Sequence, residues 1–401
     1  MGKGNAVVGQ SGGPTSVINS SLAGIVEGCR EVADIDRLLG MRWGIEGFMA
    51  DQLVDLSAQS QATIDALRHT PSSILGSSRH KLQDADFPAI LAQLQRHDIR
   101  TIFMIGGNDT MDTIHRLTDY AADAGYELRG VGVPKTVDND LFATDHTPGY
   151  PSAARYTALS VQQSGRLARD MQKVDQYTIY QSIGRDSGWL AAAGALAKRC
   201  EEDAPHLVYL PERAFDRDRF LADVAAVHAR VGYVSIVCGE GIRYADGTPV
   251  SASRTTDRFS NVEFGAMGGA SVGMRLHSMI SEEFGWRGEF QVTESLPMCA
   301  IDRAVDTDLS EAHACGREAA RLAGTGASGV MVTIERESND PYRSILGTAP
   351  LSEVAVRAKP MPDEMINDAG NFPTEAFFDY LRPLVGDLPT YAALRLDGTG
   401  S

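Results

Sequence analysis

Ile105-Gly-Gly-Asn-Asp-Thr110 and Pro134-Lys-Thr-Val-Asp-Asn-Asp140 each follow an apolar run that reads as a buried strand, Thr101-Ile-Phe-Met-Ile105 and Leu128-Arg-Gly-Val-Gly-Val133. In open parallel sheets, ligand chemistry gathers at the C-terminal ends of such strands. The first segment offers Gly106 and Gly107 for close backbone approach, then a carboxamide on Asn108, a carboxylate on Asp109 and a hydroxyl on Thr110. The oxygens are hard donors suited to Mg²⁺, and the glycines let backbone amides approach a phosphate. The second adds Lys135, Thr136 and two carboxylates, Asp138 and Asp140, which an extended chain would put on one face. Blander readings exist for both: a helix N-cap at Asn108 or Asp109, and an Asx-type turn at 138–140. Capping and ligand binding can coexist, but capping alone does not call for the preceding Gly-Gly.

Working outward, Asn5–Gly9 reads as a strand and Gln10-Ser-Gly-Gly-Pro14 as a tight loop, with helical spacing from Thr15 to Cys29. Gly12 and Gly13 then lie where backbone N–H groups and a helix dipole can face an anion, although Gly pairs of this kind often serve only the turn. Strand, loop and helix recur at 101–122 and at 176–197, where Ser182-Ile-Gly-Arg-Asp-Ser-Gly188 is the loop. Further strand and helix pairs are expected at 206–230 and from 233 to a helix around 270–284. Short apolar strands alternating with helices predict an α/β fold with mainly parallel sheets. Gly76-Ser-Ser-Arg79-His-Lys81 supplies cations and hydroxyls between the first two glycine loops, or is a solvated basic loop. The stretch 239–269 is the most irregular.

At 401 residues the chain exceeds what one core usually supports, and two domains are expected. The formal net charge of −16 disfavours nucleic acid and anionic membrane as partners. An anionic substrate therefore needs a local cluster of Arg and Lys. The five cysteines are scattered, form no CxxC pair and point to a reducing, cytoplasmic setting without structural zinc. No 18-residue apolar span or signal-peptide core is present in the sequence. Cation-ligating oxygens beside a lysine and a candidate base are what phosphoryl transfer to a small phosphorylated molecule requires.

At this point the residues resemble the phosphofructokinase A superfamily, and specifically its pyrophosphate-dependent branch. ATP-using members of that family carry GGDGS and PGTIDND, and pyrophosphate users carry GGDDS-like and PKTIDND segments. This chain has Gly106-Gly-Asn-Asp-Thr110 and Pro134-Lys-Thr-Val-Asp-Asn-Asp140. The likeness extends through Ser11-Gly-Gly-Pro14, Leu75-Gly-Ser-Ser-Arg79, Thr144-Asp-His-Thr-Pro-Gly149, Ile183-Gly-Arg185, Gly188-Trp-Leu190, Gly239-Glu-Gly241, Gly370-Asn-Phe-Pro-Thr374 and Tyr380-Leu-Arg-Pro-Leu384. It implies two similar three-layer αβα domains with the active site in the cleft between them. A donor-binding domain is expected at 1–149 with roughly 308–330, and a sugar-phosphate domain at 150–307 with roughly 331–401. By resemblance, Asp138 is the general base, and Lys135, Thr136 and Asp140 complete the catalytic set. Gly12, Gly13, Arg79, Gly107, Asn108, Asp109 and Lys135 hold the donor, with Asn108 and Asp109 toward Mg²⁺. Thr136, Asp138, Ile183, Gly184, Arg185 and Glu240 meet the sugar phosphate.

The chain departs from the family pattern in three places. Asn108 stands where an aspartate is usual, and Ile183 replaces a methionine. Leu296-Pro-Met298 stands in place of Leu-Gln-Arg, removing a cation that reaches the sugar phosphate, with Arg303 as its candidate substitute. The implied reaction is reversible transfer from pyrophosphate to fructose 6-phosphate, in a homodimer or homotetramer. The alternatives are an ATP-dependent enzyme, another acceptor such as sedoheptulose 7-phosphate, and a regulatory subunit without turnover. Glycine occupies positions 109 and 135 in ATP-using members, which argues against the first of these.

Overall fold

The computed structural model describes residues 3–78, 80, 82–251 and 271–392. Among the described residues, eleven strands form two sheets: β1 (Gly4–Gln10), β2 (Ile35–Met41), β3 (Leu53–Asp55), β4 (Ile99–Gly106), β5 (Arg129–Pro134), β6 (Tyr177–Ser182), β7 (Leu207–Tyr209), β8 (Val234–Gly239), β9 (Gly288–Val292), β10 (Val330–Asn339) and β11 (Tyr342–Pro350). The first sheet has the order β11-β10-β5-β4-β1-β2-β3, and the second β7-β8-β6-β9. Pairing is parallel throughout except at the two edges of the first sheet, β10 with β11 and β2 with β3.

The strand sequences explain why both sheets are covered on two sides. Successive side chains in a strand point to opposite faces. Ala6 and Val8 pack with Phe103 and Ile105 in one apolar cluster, whereas Val7 packs with Ile102 and Met104 in another. The first cluster is completed by the helices Ile18–Glu31 and Asp306–Gly324, the second by Phe87–Arg96 and Asn108–Asp123. In the second sheet, Tyr180 and Val237 face one cluster while Ile179, Ile236 and Cys238 face the other. Near-continuous apolar runs such as Thr101–Ile105 are the signature of strands buried on both faces.

β1 neighbours β2 on one side and β4 on the other, so strand order reverses between β1 and β4. A crevice at the C-terminal ends follows from that reversal. The 10–15 loop and the 106–110 loop flank it, and Ser11 N–H donates to Ile105 O at 3.0 Å. β10 and β11 join the first sheet, β10 pairing with β5. The β10–β11 hairpin is thus attached through Val330 and Met331 to the sheet of the N-terminal half, whereas the sequence expectation had grouped 331–350 with the second half. Parallel pairing of β10 to β5 is a long-range contact that no local pattern in 330–350 announces.

Behind the catalytic-type segment lies a buried ionic cluster. His146 is fully buried, with Nδ1 2.8 Å from Asp145 Oδ2 and Nε2 2.7 Å from Glu311 Oε2. Burial opposes its protonation, but the two carboxylates outweigh that and raise its pKa. Arg336 Nη2 reaches Asp145 at 2.8 Å, and the hydroxyls of Tyr342 and Ser344 donate to Glu311 Oε1 at 2.7 and 2.6 Å. Tyr342→Phe removes one donor to a buried carboxylate. The expected loss is roughly 1.5–3 kcal/mol of unfolding free energy. Denaturant unfolding checks this, and a midpoint unchanged from wild type would remove Tyr342 from the stabilising set.

Candidate active site

The glycine segment places its groups as a helix start. Gly107 is the N-cap of Asn108–Asp123, with no side-chain capping bond, so neither Asn108 nor Asp109 caps the helix. Gly106 passes so close to Thr110 that an added Cβ would overlap the Thr110 side chain. Asp109 is exposed in the first turn, and Asn108 Oδ1 is buried with no hydrogen-bond partner among the described residues. A free helix N-terminus with an unsatisfied carboxamide oxygen beside it suits a ligand that brings both anionic oxygens and a cation.

Pro134 ends β5 beside Gly106, and Lys135 N–H donates to Gly106 O at 3.1 Å. The Lys135 side chain is buried and crosses to the first glycine loop, where Nζ donates to Gly13 O at 2.6 Å. Gly12, at φ +74°, adopts a left-handed conformation that disfavours other residues. The three expected donor segments described here therefore meet at one place. Arg79 lies outside the described residues.

The Asp138–Asp140 segment turns back on itself. Thr136 Oγ1 accepts from Asp138 N–H at 3.0 Å, and Asn139 sits at φ +57° with its amide on Tyr380 OH at 2.9 Å and its carbonyl oxygen on Thr147 N–H at 3.2 Å. The segment does turn, through the Thr136 hydroxyl and not an Asx carboxylate, and Asn139 points away to anchor the loop. Asp138 is pushed up to about 7 by burial, with Asp140 and Glu240 adding to the rise and Lys135 and Arg185 opposing it. Burial also raises Asp140 against the pull of Lys359 and Lys135. Carboxylates lifted in this way in a cleft are candidates for proton transfer.

The second sheet delivers its loops to the same place. Ser187 Oγ donates to Asp138 O at 2.9 Å, Gly184 N–H to Glu240 Oε1 at 3.3 Å, and Glu240 N–H to Ser182 O at 3.0 Å. Arg185 and Glu240 act electrostatically on Asp138, so the C-terminal ends of β5, β6 and β8 face one another. Ile183 and Met298 each pack against the apolar cluster on one face of the second sheet, and the terminal methyl of Met298 lies where a side chain on Gly13 would meet it. Met298 thus lies against the donor loop. Arg303 stacks its guanidinium over Tyr156 at 4.9 Å and donates to Ser160 at 3.4 Å.

Among the described residues, no group of three His, Cys, Asp or Glu side chains is placed to hold a metal. That does not conflict with a Mg²⁺ shared with substrate, because this ion is usually held by one or two carboxylates together with phosphate oxygens. Three contributors were not foreseen. Lys359 gives no signal in the sequence, being a lone lysine in an irregular stretch, yet it bonds to the carbonyls of Thr144 and Asp145. Trp189 and Tyr380 were visible as parts of motifs, without an indication that they reach this loop.

A phosphofructokinase family model matches residues 5–297. The chain belongs to the phosphofructokinase family. A Halomonas elongata protein of this family, named pyrophosphate–fructose 6-phosphate 1-phosphotransferase, is 39% identical over 392 residues, covering 96% of this chain and 92% of that protein. The crystal structure of a pyrophosphate-dependent phosphofructokinase from Nitrosospira multiformis superposes with a TM-score of 0.87 at 36% identity, covering 98% of this chain and 94% of that one. An Alkalicoccus urumqiensis protein named sulfofructose kinase is 32% identical over 98% of both chains. The phosphofructokinase likeness thus spans both sheets and continues beyond the family model's last matched residue.

Proposed function

We infer that this phosphofructokinase transfers a phosphoryl group from pyrophosphate to the 1-hydroxyl of fructose 6-phosphate, reversibly, giving fructose 1,6-bisphosphate and phosphate. The observation that carries the reading is Lys135, buried, lodged against the Gly12-Gly13 loop and bonded through its N–H to Gly106 at the head of the 106–110 loop. A cation fixed there can neutralise the departing phosphate of a short, highly charged donor. Asp138 takes the proton from the sugar hydroxyl as it attacks phosphorus. Gly107, Asn108 and Asp109 meet the donor, and Ile183, Gly184, Arg185 and Glu240 meet the acceptor. Asn108, Asp109 and Asp140 are the oxygen donors suited to Mg²⁺, which when bound supplies charge neutralisation on the pyrophosphate. The protein residues position the reactants and exclude water. No helix of the described residues is long and apolar enough to cross a membrane. A cytoplasmic homodimer or homotetramer is our expectation, read by light scattering. The deciding assay is purified protein with fructose 6-phosphate and Mg²⁺, comparing pyrophosphate with ATP. Product formed from ATP at equal or greater efficiency would overturn the donor assignment.

A second reading of the acceptor is favoured by Met298. A thioether cannot donate to an anion, and it occupies the place where the family pattern has arginine. A sulfonate carries one negative charge where a phosphate monoester carries about −1.5 to −2. One cation fewer therefore costs a sulfonated sugar less than a phosphorylated one. Met298→Arg is expected to lower KM for fructose 6-phosphate roughly tenfold or more, in keeping with about 1.5–3 kcal/mol for a hydrogen bond to a charged group. Arg303→Ala should raise KM for the sugar phosphate more than KM for the donor. Wild-type kcat/KM higher for 6-deoxy-6-sulfofructose than for fructose 6-phosphate would replace the first reading by the second.

A further inference from the structure

Residues 358–361 run across the site from outside both sheets, beyond the part of the chain that the family model matches. Ala358 bridges Leu141, and Lys359 N–H donates to Asp140 O at 2.7 Å. The Lys359 ammonium donates to Asp145 O at 2.7 Å and Thr144 O at 3.0 Å, and lies 5.3 Å from the centre of the Trp189 ring. Its own carbonyl accepts from Trp189 Nε1 at 3.3 Å. Two residues on, Met361 N–H donates to Glu212 Oε1 at 3.2 Å, the same oxygen that accepts from Gly188 N–H at 2.8 Å. One side of this segment therefore holds the loop bearing Asp138, and the other holds the end of the loop bearing Arg185.

We propose that residues 358–361 are a strap setting the spacing between the Asp138 loop and the Arg185 loop, with Lys359 as its positioning residue. The proposal rests on the reading of Asp138 as the base and Arg185 as an acceptor contact. Lys359 itself touches no reactant. It bonds the Thr144 carbonyl and shares the Asp145 carbonyl with the Tyr380 hydroxyl, and thereby fixes where the chain leaves Asp140. A base and an acceptor site carried by different sheets need such a tie, because rate falls steeply with misplacement of reacting groups.

Lys359→Met keeps the aliphatic stem and deletes the donors. It is expected to lower kcat about tenfold, short of the ~10²-fold that a ~1 Å misplacement costs, with KM for pyrophosphate little changed. Lys359→Arg, which keeps charge and donors, should recover most of the loss. Independently of turnover, hydrogen exchange in Lys359→Met should quicken in both 138–149 and 183–190 while 306–324 stays as in wild type. If Lys359→Met does not fold, Trp189→Phe, which removes the indole N–H bond to the strap together with part of a buried ring, is read by the same measurements. Wild-type kcat in the folded variant, or unchanged exchange in either loop, overturns the strap. Failure of wild type to use pyrophosphate overturns the functional reading instead and leaves the exchange measurement to judge the strap.

Discussion

Asp138→Asn abolishes nearly all turnover and leaves sugar-phosphate binding largely intact. Loss of general-base assistance is expected to cost about 10²–10⁴ in kcat. Asparagine preserves the shape of the loop, since the Asp138 backbone contacts run through Thr136 Oγ1 and Ser187 Oγ and not through the carboxylate. The defect should therefore fall on kcat and not on folding. A folded variant keeping a tenth of wild-type turnover or more would show that another group takes the proton. The same carboxyl predicts an acidic limb. Because burial, Asp140 and Glu240 hold Asp138 well above the ordinary carboxylate range, near 7, and the base must be ionised to act, kcat/KM of the free enzyme rises with pH through that region. A profile flat from pH 5 to 8 would sink this assignment, about 5–8 being the window where a raised carboxyl separates from an ordinary one.

Lys135→Met is expected to lower kcat with pyrophosphate by about 10²–10³, the scale for deleting one preorganised donor to developing charge. The buried ammonium has a fixed partner in Gly13 O, so the stem of methionine fills its channel while the charge is lost. Asp109→Gly acts on the other side of the donor site. Asp109 is exposed at the first turn of Asn108–Asp123, where a nucleotide's α-phosphate would approach the helix start. Its carboxylate adds bulk and negative charge there, discriminating against the longer donor. Removing it should bring measurable turnover with ATP. Steady-state kinetics with both donors reads both variants. Unaltered pyrophosphate kinetics in Lys135→Met would place the discriminating cation elsewhere.

The reasons some of this was legible in the sequence and some was not are physical. The buried parallel strands announced themselves because Thr101–Ile105 and Val131–Val133 are apolar on both faces, and the glycines that follow mark where backbone must approach a ligand. The meeting of Lys135 with Gly13 was implied only by resemblance, since residues 122 positions apart share no local pattern. Grouping of 331–350 could not be read from its own sequence either. An alternating edge hairpin looks the same whichever sheet it joins, and β5 decides the matter by offering an unpaired edge. Lys359 was hidden for a related reason. Its partners are main-chain carbonyls, which every residue carries, so no side-chain motif marks the contact. Met298 was legible as a missing charge, but not as a contact of the donor loop, because that contact depends on the bare Cα of Gly13.

The late return of β10 to the first sheet also constrains the order in which the molecule can be made. A growing chain that has reached residue 149 has β1, β2, β4 and β5 but lacks both β10 and the helix Asp306–Gly324 that covers one apolar face. Throughout synthesis of the second sheet, the edge of β5 stays open and Ala6, Val8, Phe103 and Ile105 are only partly covered. An open edge beside an uncovered apolar face invites pairing with other chains. The N-terminal half therefore presents an open edge and an incompletely covered apolar face until β10 and the helix Asp306–Gly324 have followed it.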